Sequence, residues 1–170
     1  GRALWFYMGK LAWPQDLMFI YPRWEIDVAQ WWQYLFPVSF VALLVCLYAA
    51  RGSIGRGPLA AVLIFAGTLF PAIGFLNVFP HRFSFVADHF QYLASIAIIA
   101  LLAAVLAYVG NRYFSSPKKV RIFSLIVVLL MLNLGLEAAC LSFSYKDLIT
   151  LWRHSIDRNK ECWVGYNNLA

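Results

Sequence analysis

The chain has 170 residues, of which 62% are hydrophobic, 18% aromatic and only 13% charged. A soluble domain is ordinarily about 45–50% apolar and about 25% charged; here the apolar excess is gathered into runs, which argues against a water-soluble fold and for a bilayer as the solvent. The formal charge of +6 does not point to nucleic acid, because the basic residues lie in short loops between apolar runs, the pattern of membrane topology.

In chain order, residues 3–13 are apolar and rich in aromatics but too short for a full span, and Pro14 closes them. They read as an interfacial helix or as the end of a span begun upstream. The start, Gly1-Arg2-Ala3-Leu4-Trp5, carries no signal-peptide pattern, and a longer parent protein is expected. Residues 14–33 mix Asp16, Arg23, Glu25 and Asp27 with Trp24, Trp31 and Trp32, an aromatic belt at headgroup level.

Four apolar runs follow: Tyr34–Ala50, Pro58–Leu76, Tyr92–Val109 and Ile122–Cys140, of 17, 19, 18 and 19 residues. Each is close to the ~20 residues that cross ~30 Å of hydrocarbon. The expected fold is all-α: a polytopic transmembrane bundle of about four spans plus the N-terminal partial or interfacial segment. Gly67, Pro71 and Gly74 in the second run suggest a kink or close helix packing. Cys46 and Cys140 fall in apolar runs as small hydrophobes, and the three cysteines are too scattered for a metal site or disulfide framework.

Loop charge sets an expected orientation. Residues 51–57 carry Arg51 and Arg56, and residues 111–121 carry Arg112, Lys118, Lys119 and Arg121, with no acid in either. By the positive-inside rule these loops are cytoplasmic. The 14–33 segment, the 77–91 loop and the tail after Cys140 then face outward together.

In the tail, Leu148, Leu151, Trp152 and Ile156 fall on one helical face. Asn159-Lys160-Glu161 breaks that helix, and a second is expected from near Cys162 through Tyr166-Asn167-Asn168-Leu169-Ala170. The pair resembles the start of a tetratricopeptide repeat, giving a membrane domain over 1–141 and a repeat region from 142 to 170.

Chemistry concentrates between the second and third runs, where Phe79–Tyr92 gathers His81, Arg82, Asp88, His89 and Gln91. Arginine suits phosphate because its planar fork makes two parallel bonds, so Arg82 with His81 and His89 is a candidate anion site. Asp88, just before a span, could instead cap its first turn, and Gln91 could bond a sugar hydroxyl. Arg23 is a second phosphate candidate. Glu25 and Asp27 could coordinate a divalent cation or act as a base, though solvated surface acids explain them as well. Asn133 and Glu137 share a face of the last run at i, i+4. No Walker loop, zinc motif, serine elbow or dinucleotide fingerprint is present.

Taken together, Asn77-Val78-Phe79-Pro80 before Arg82 and Asp88-His89, the last span, and its junction with Leu151-Trp152-Arg153 through Tyr166-Asn167-Asn168-Leu169 resemble a known layout. The chain looks like the later membrane part of the transmembrane-and-tetratricopeptide O-mannosyltransferase-like proteins, above all their bacterial relatives. The resemblance implies a C-type glycosyltransferase fold with a polyprenyl-phosphate sugar as donor and an outward-facing protein as acceptor. It also implies a bacterial inner-membrane location with a periplasmic tail, and catalytic acids in an earlier outward loop that this chain does not contain. The competing expectation is a non-catalytic membrane anchor that displays a repeat scaffold to partner proteins.

Overall fold

The computed structural model describes residues 1–74, 83–114 and 116–169. Among these there are seven α-helices and no strand. They are α1 (Arg2–Ala12), α2 (Leu35–Ile54), α3 (Gly57–Leu69), α4 (Tyr92–Tyr113), α5 (Pro117–Ser144), α6 (Leu148–Arg158) and α7 (Trp163–Leu169). Short 3-10 turns at Trp31–Tyr34, Phe70–Ala72 and Asp88–Gln91 lead into α2, extend α3 and lead into α4.

With their 3-10 lead-ins, the apolar helices Trp31–Ile54, Asp88–Tyr113 and Pro117–Ser144 are long and apolar enough to cross a membrane. Their surfaces are almost entirely exposed, and no residue of α5 is buried. Apolar side chains facing outward all round a helix are stable only against hydrocarbon or another apolar partner. The second apolar run departs from expectation in length. Its helix covers Gly57–Ala72, loosening to 3-10 geometry at Pro71 and turning at Gly74, where φ is +94°. Proline lacks the amide that would continue the ladder, and glycine takes positive φ without strain. The expected end of this run, at Leu76, lies outside the described residues. Gly67 has nothing within 4 Å of where a Cβ would stand, so among the described residues it makes no close helix contact.

Helix ends follow local chemistry. Ser116 caps α5 by accepting the Lys119 amide at 3.4 Å, with Pro117 at the first helical position. Asp147 caps α6, accepting from the Thr150 amide at 2.7 Å and its hydroxyl at 3.0 Å. α2 stops at Gly55, where φ is +81°.

The core lies where α1, α2, α3 and the start of α4 converge. α3 supplies Ala61, Val62, Phe65 and Leu69 as its buried stripe, and α1 contributes Ala3, Leu4 and Tyr7. Trp5 anchors α1 to α2, its indole N–H donating to the Phe36 carbonyl at 3.1 Å and its ring meeting Phe40 edge-on at 6.3 Å. Burial of Phe65, Leu69 and Tyr7, all 0% exposed, stabilises this end by roughly 1.5–3 kcal/mol per large side chain.

Candidate functional site

Three segments meet at one end of the bundle: residues 14–30, residues 83–91 and the α6–α7 pair. They fall within the three segments expected to share one side. Arg158 pairs with Asp16 at 3.2 Å. Asn159, buried, donates its amide to the Ile20 carbonyl at 3.3 Å and accepts from the Glu161 amide at 3.1 Å. Phe19 completes the join, standing edge-on to both Trp152 and Tyr145 at 5.6 and 6.2 Å.

Beneath this layer, tyrosines hold the 83–91 segment down. The Tyr7 hydroxyl accepts the Ala87 amide at 3.0 Å and donates to the Ala87 carbonyl at 3.3 Å. The Tyr21 hydroxyl donates to Asp88 Oδ1 at 2.7 Å. Burial, and then the hydrogen bond to the Asp88 carboxylate, push the Tyr21 hydroxyl above the ordinary tyrosine range, so it remains a neutral donor. Lys10 closes the same corner, donating to the carbonyls of Gln15 and Asp16.

Asp88 and Gln91 occupy one 3-10 turn at i, i+3, where side chains eclipse. They are 5% and 8% exposed, and among the described residues Asp88 Oδ2 and Gln91 Oε1 have no hydrogen-bond partner. Neither this 3-10 turn nor α4 receives a side-chain cap, so Asp88 serves Tyr21 and not the helix end.

His89 and Arg23 face outward instead. His89 lines an aromatic cleft of roughly 250 Å³ with Phe19, Phe90, Trp152 and Val164. Arg23 lines a smaller one of roughly 160 Å³ with Asn159, Glu161, Phe83 and Trp163. The two adjoin, sharing Ile20, Phe83 and Val164 as walls. Phe83 and Trp163 stand 5.5 Å apart, and the Arg23 guanidinium lies over Phe85 at 5.1 Å. The result is a groove with flat aromatic walls and a cation, an imidazole and a carboxylate at its edges. Such a lining suits a ligand with both ring faces and polar substituents.

The remaining expected residues divide. His81 and Arg82 lie outside the described residues. Asp27 is exposed and accepts the Ala29 amide at 2.9 Å, a local turn, and Glu25 is also exposed. Among the described residues no three His, Cys, Asp or Glu side chains gather as a metal site. Asn133 and Glu137 are exposed on α5. On α6, Leu151 and Ser155 are buried while Leu148 is 71% exposed: the contact surface turns toward Phe19 and leaves the first turn out. α7 begins at Trp163, and α6 meets it closely at Gly165, where a Cβ would stand 2.9 Å from Ile156.

Reading the sequence alone missed Tyr7, Tyr21 and Asn159. Tyr7 sits in an aromatic-rich run and Tyr21 two residues before Arg23, and nothing local distinguishes a tyrosine whose hydroxyl meets a backbone 80 residues away.

Comparison with protein-family models, curated proteins and solved structures gives no match.

Proposed function

We propose that the chain is part of an integral-membrane glycosyltransferase that moves a sugar from a polyprenyl phosphate to an outward-facing protein, with residues 14–30, 83–91 and the tail on the outer side. The observation that carries this reading is the groove between loop and tail, whose aromatic walls and edge groups Arg23, His89 and Glu161 suit a glycosyl phosphate. In this reading Arg23 takes the phosphate, as a planar fork can, and His89 steadies the same charge as the lipid phosphate leaves. Phe83 and Trp163, in contact with each other, offer one aromatic surface to the sugar. Tyr7 and Tyr21 act through the backbone and Asp88, fixing the segment that carries His89. Arg82 and His81, outside the described residues, stay phosphate candidates by their charge and chemistry alone, and the acceptor is brought through the repeat-like tail.

The test uses the protein expressed from its complete reading frame in membranes, with radiolabelled polyprenyl-phosphate sugars and outer-face proteins as acceptors. Arg23→Ala, His89→Ala and Arg82→Ala are each expected to lower label transfer by about tenfold or more, with thermal unfolding unchanged. Wild-type membranes that transfer label from no donor would leave the anchor reading, in which α7 presents Trp163 and Tyr166, 63% and 50% exposed, to a partner.

A further inference from the structure

The charges of this chain are sorted between the two ends of the bundle. Seven of its eight acids, Asp16, Glu25, Asp27, Asp88, Asp147, Asp157 and Glu161, belong to the loop-and-tail layer or its border, and the eighth, Glu137, is near the α5 end that leads into it. The opposite end holds Arg51 and Arg56 in the last turn of α2 and the turn after it, and Arg112, Lys118, Lys119 and Arg121 around the α4–α5 turn. The formal charge of +6 therefore equals the charge gathered at that end.

The two basic groups are not equivalent. Arg51 donates to the Tyr48 carbonyl at 2.8 Å and stacks on the Tyr48 ring at 3.6 Å. Arg112, Lys118, Lys119 and Arg121 are all exposed, and among the described residues no side-chain hydrogen bond or ion pair engages them. No acid lies between Asp88 and Glu137; at 1.5 Å per residue, Glu137 is about 24 Å along the helix from Arg121.

Beside this second group α4 and α5 part to form an apolar groove of roughly 340 Å³. Leu106, Ala107, Val120 and Val127 line it, with Asn111 and Ser124 as its polar edge. Phe114 and Phe123 lie 4.6 Å apart across the helices, and Gly110 gives the Phe123 ring room. An apolar slot between two membrane-length helices, with four exposed cations at its end, is complementary to a lipid that joins acyl chains to an anionic phosphate.

We propose that the α4–α5 groove is a binding site for an anionic phospholipid, with acyl chain along Ala107 and Val127 and the phosphate held by Arg112, Lys118, Lys119 and Arg121. The site is independent of the transferase reading and stands at the other end of the bundle. Lys118 and Lys119 follow the Ser116 cap and Pro117, so the first turn of α5 fixes where they start. The phosphate also sits against positive charge with no acid close to it in the sequence.

The test is native mass spectrometry of the purified complete protein equilibrated in detergent with equal phosphatidylglycerol and phosphatidylcholine. Wild type is expected to retain phosphatidylglycerol preferentially. Lys118→Gln/Lys119→Gln/Arg121→Gln should lower that preference by about tenfold or more, on the scale expected for basic residues at an anionic surface. Arg51→Gln/Arg56→Gln should leave it within about twofold. Ala107→Trp, which fills the slot and leaves charge untouched, should reduce retention of phosphatidylglycerol. Soluble glycerol phosphate in excess should displace no lipid. Equal retention of the two lipids by wild type overturns the site. So does an equal loss in the Arg51/Arg56 variant, which would make the effect one of diffuse charge. Full displacement by glycerol phosphate would also overturn it, as a site for free phosphate and not for lipid.

Discussion

Tyr21 and Asp88, 67 residues apart in sequence, meet at 2.7 Å in the buried floor of the loop-and-tail layer. The phenol is the donor and the carboxylate the acceptor. Tyr21→Phe should destabilise the protein by about 1–3 kcal/mol, the usual cost of stranding a buried polar group, read as a lower thermal midpoint in detergent. The bond also carries a pH signature. The hydroxyl is held above its ordinary range in the folded protein, so its contribution is complete below pH ~10 and is lost as pH rises toward the folded value. Alkaline destabilisation should therefore be weaker in Tyr21→Phe than in wild type.

Tyr7→Phe removes both bonds to Ala87 at once. A buried amide then loses its acceptor, and about 1–3 kcal/mol is expected to go with it. Hydrogen exchange should show the faster exchange at Ala87 itself, while the exposed helix α5 exchanges as before.

The tail is held by two unlike contacts. The Asp16–Arg158 pair is solvent-exposed and should contribute no more than about 1 kcal/mol; Arg158→Ala is expected to leave limited proteolysis of the tail almost unchanged. Asn159 is buried and bonds twice. Asn159→Ala should release α6 and α7 to protease at least several-fold faster.

At the α6 N-terminus, backbone and side-chain bonds from Thr150 hold the Asp147 carboxyl below the usual carboxylate range. The capping contribution is present above the ordinary aspartate value near pH ~4 and fades as pH falls through the folded value. Asp147→Asn should keep the cap and flatten this dependence, whereas Asp147→Ala should lose the cap at every pH. Exchange at the Thr150 amide, followed from pH ~6 downward by about three units, distinguishes the three.

Gly165→Val tests how tightly the tail helices pack. A side chain there meets the branched body of Ile156, and overpacking of this kind costs about 1–3 kcal/mol. Circular dichroism should show the helices retained, with the tail more readily cleaved.

The helical class and the membrane-length helices were legible because runs such as Tyr92–Val109 are long, continuous and free of charge. The break at Asn159 was legible as well, where α6 ends. The shortened second run was less so: Pro71 and Gly74 were visible, but a kink, a close packing and a stop are written with the same residues. The site was legible only in its location. Position alone could not tell that Asp88 and Gln91 turn inward while His89 turns out, because adjacent residues on a 3-10 turn diverge by about a third of a circle. Arg23 and Glu161 were too distant in sequence to be read as neighbours on one groove.

The bonds from Tyr7 to Ala87 and from Arg158 to Asp16 span 80 and 142 residues. Such closures cannot form until both ends have been synthesised. α1 leaves the ribosome well before its partners, and the Tyr7 hydroxyl meets Ala87 only after α2 and α3 have been laid down and the chain has come back to residue 87. The layer is completed later still, when α6 arrives beside Asp16. During synthesis the loop-and-tail layer is thus completed after the helical core beneath it, and until then Tyr7, Tyr21 and Phe19 are available to a chaperone.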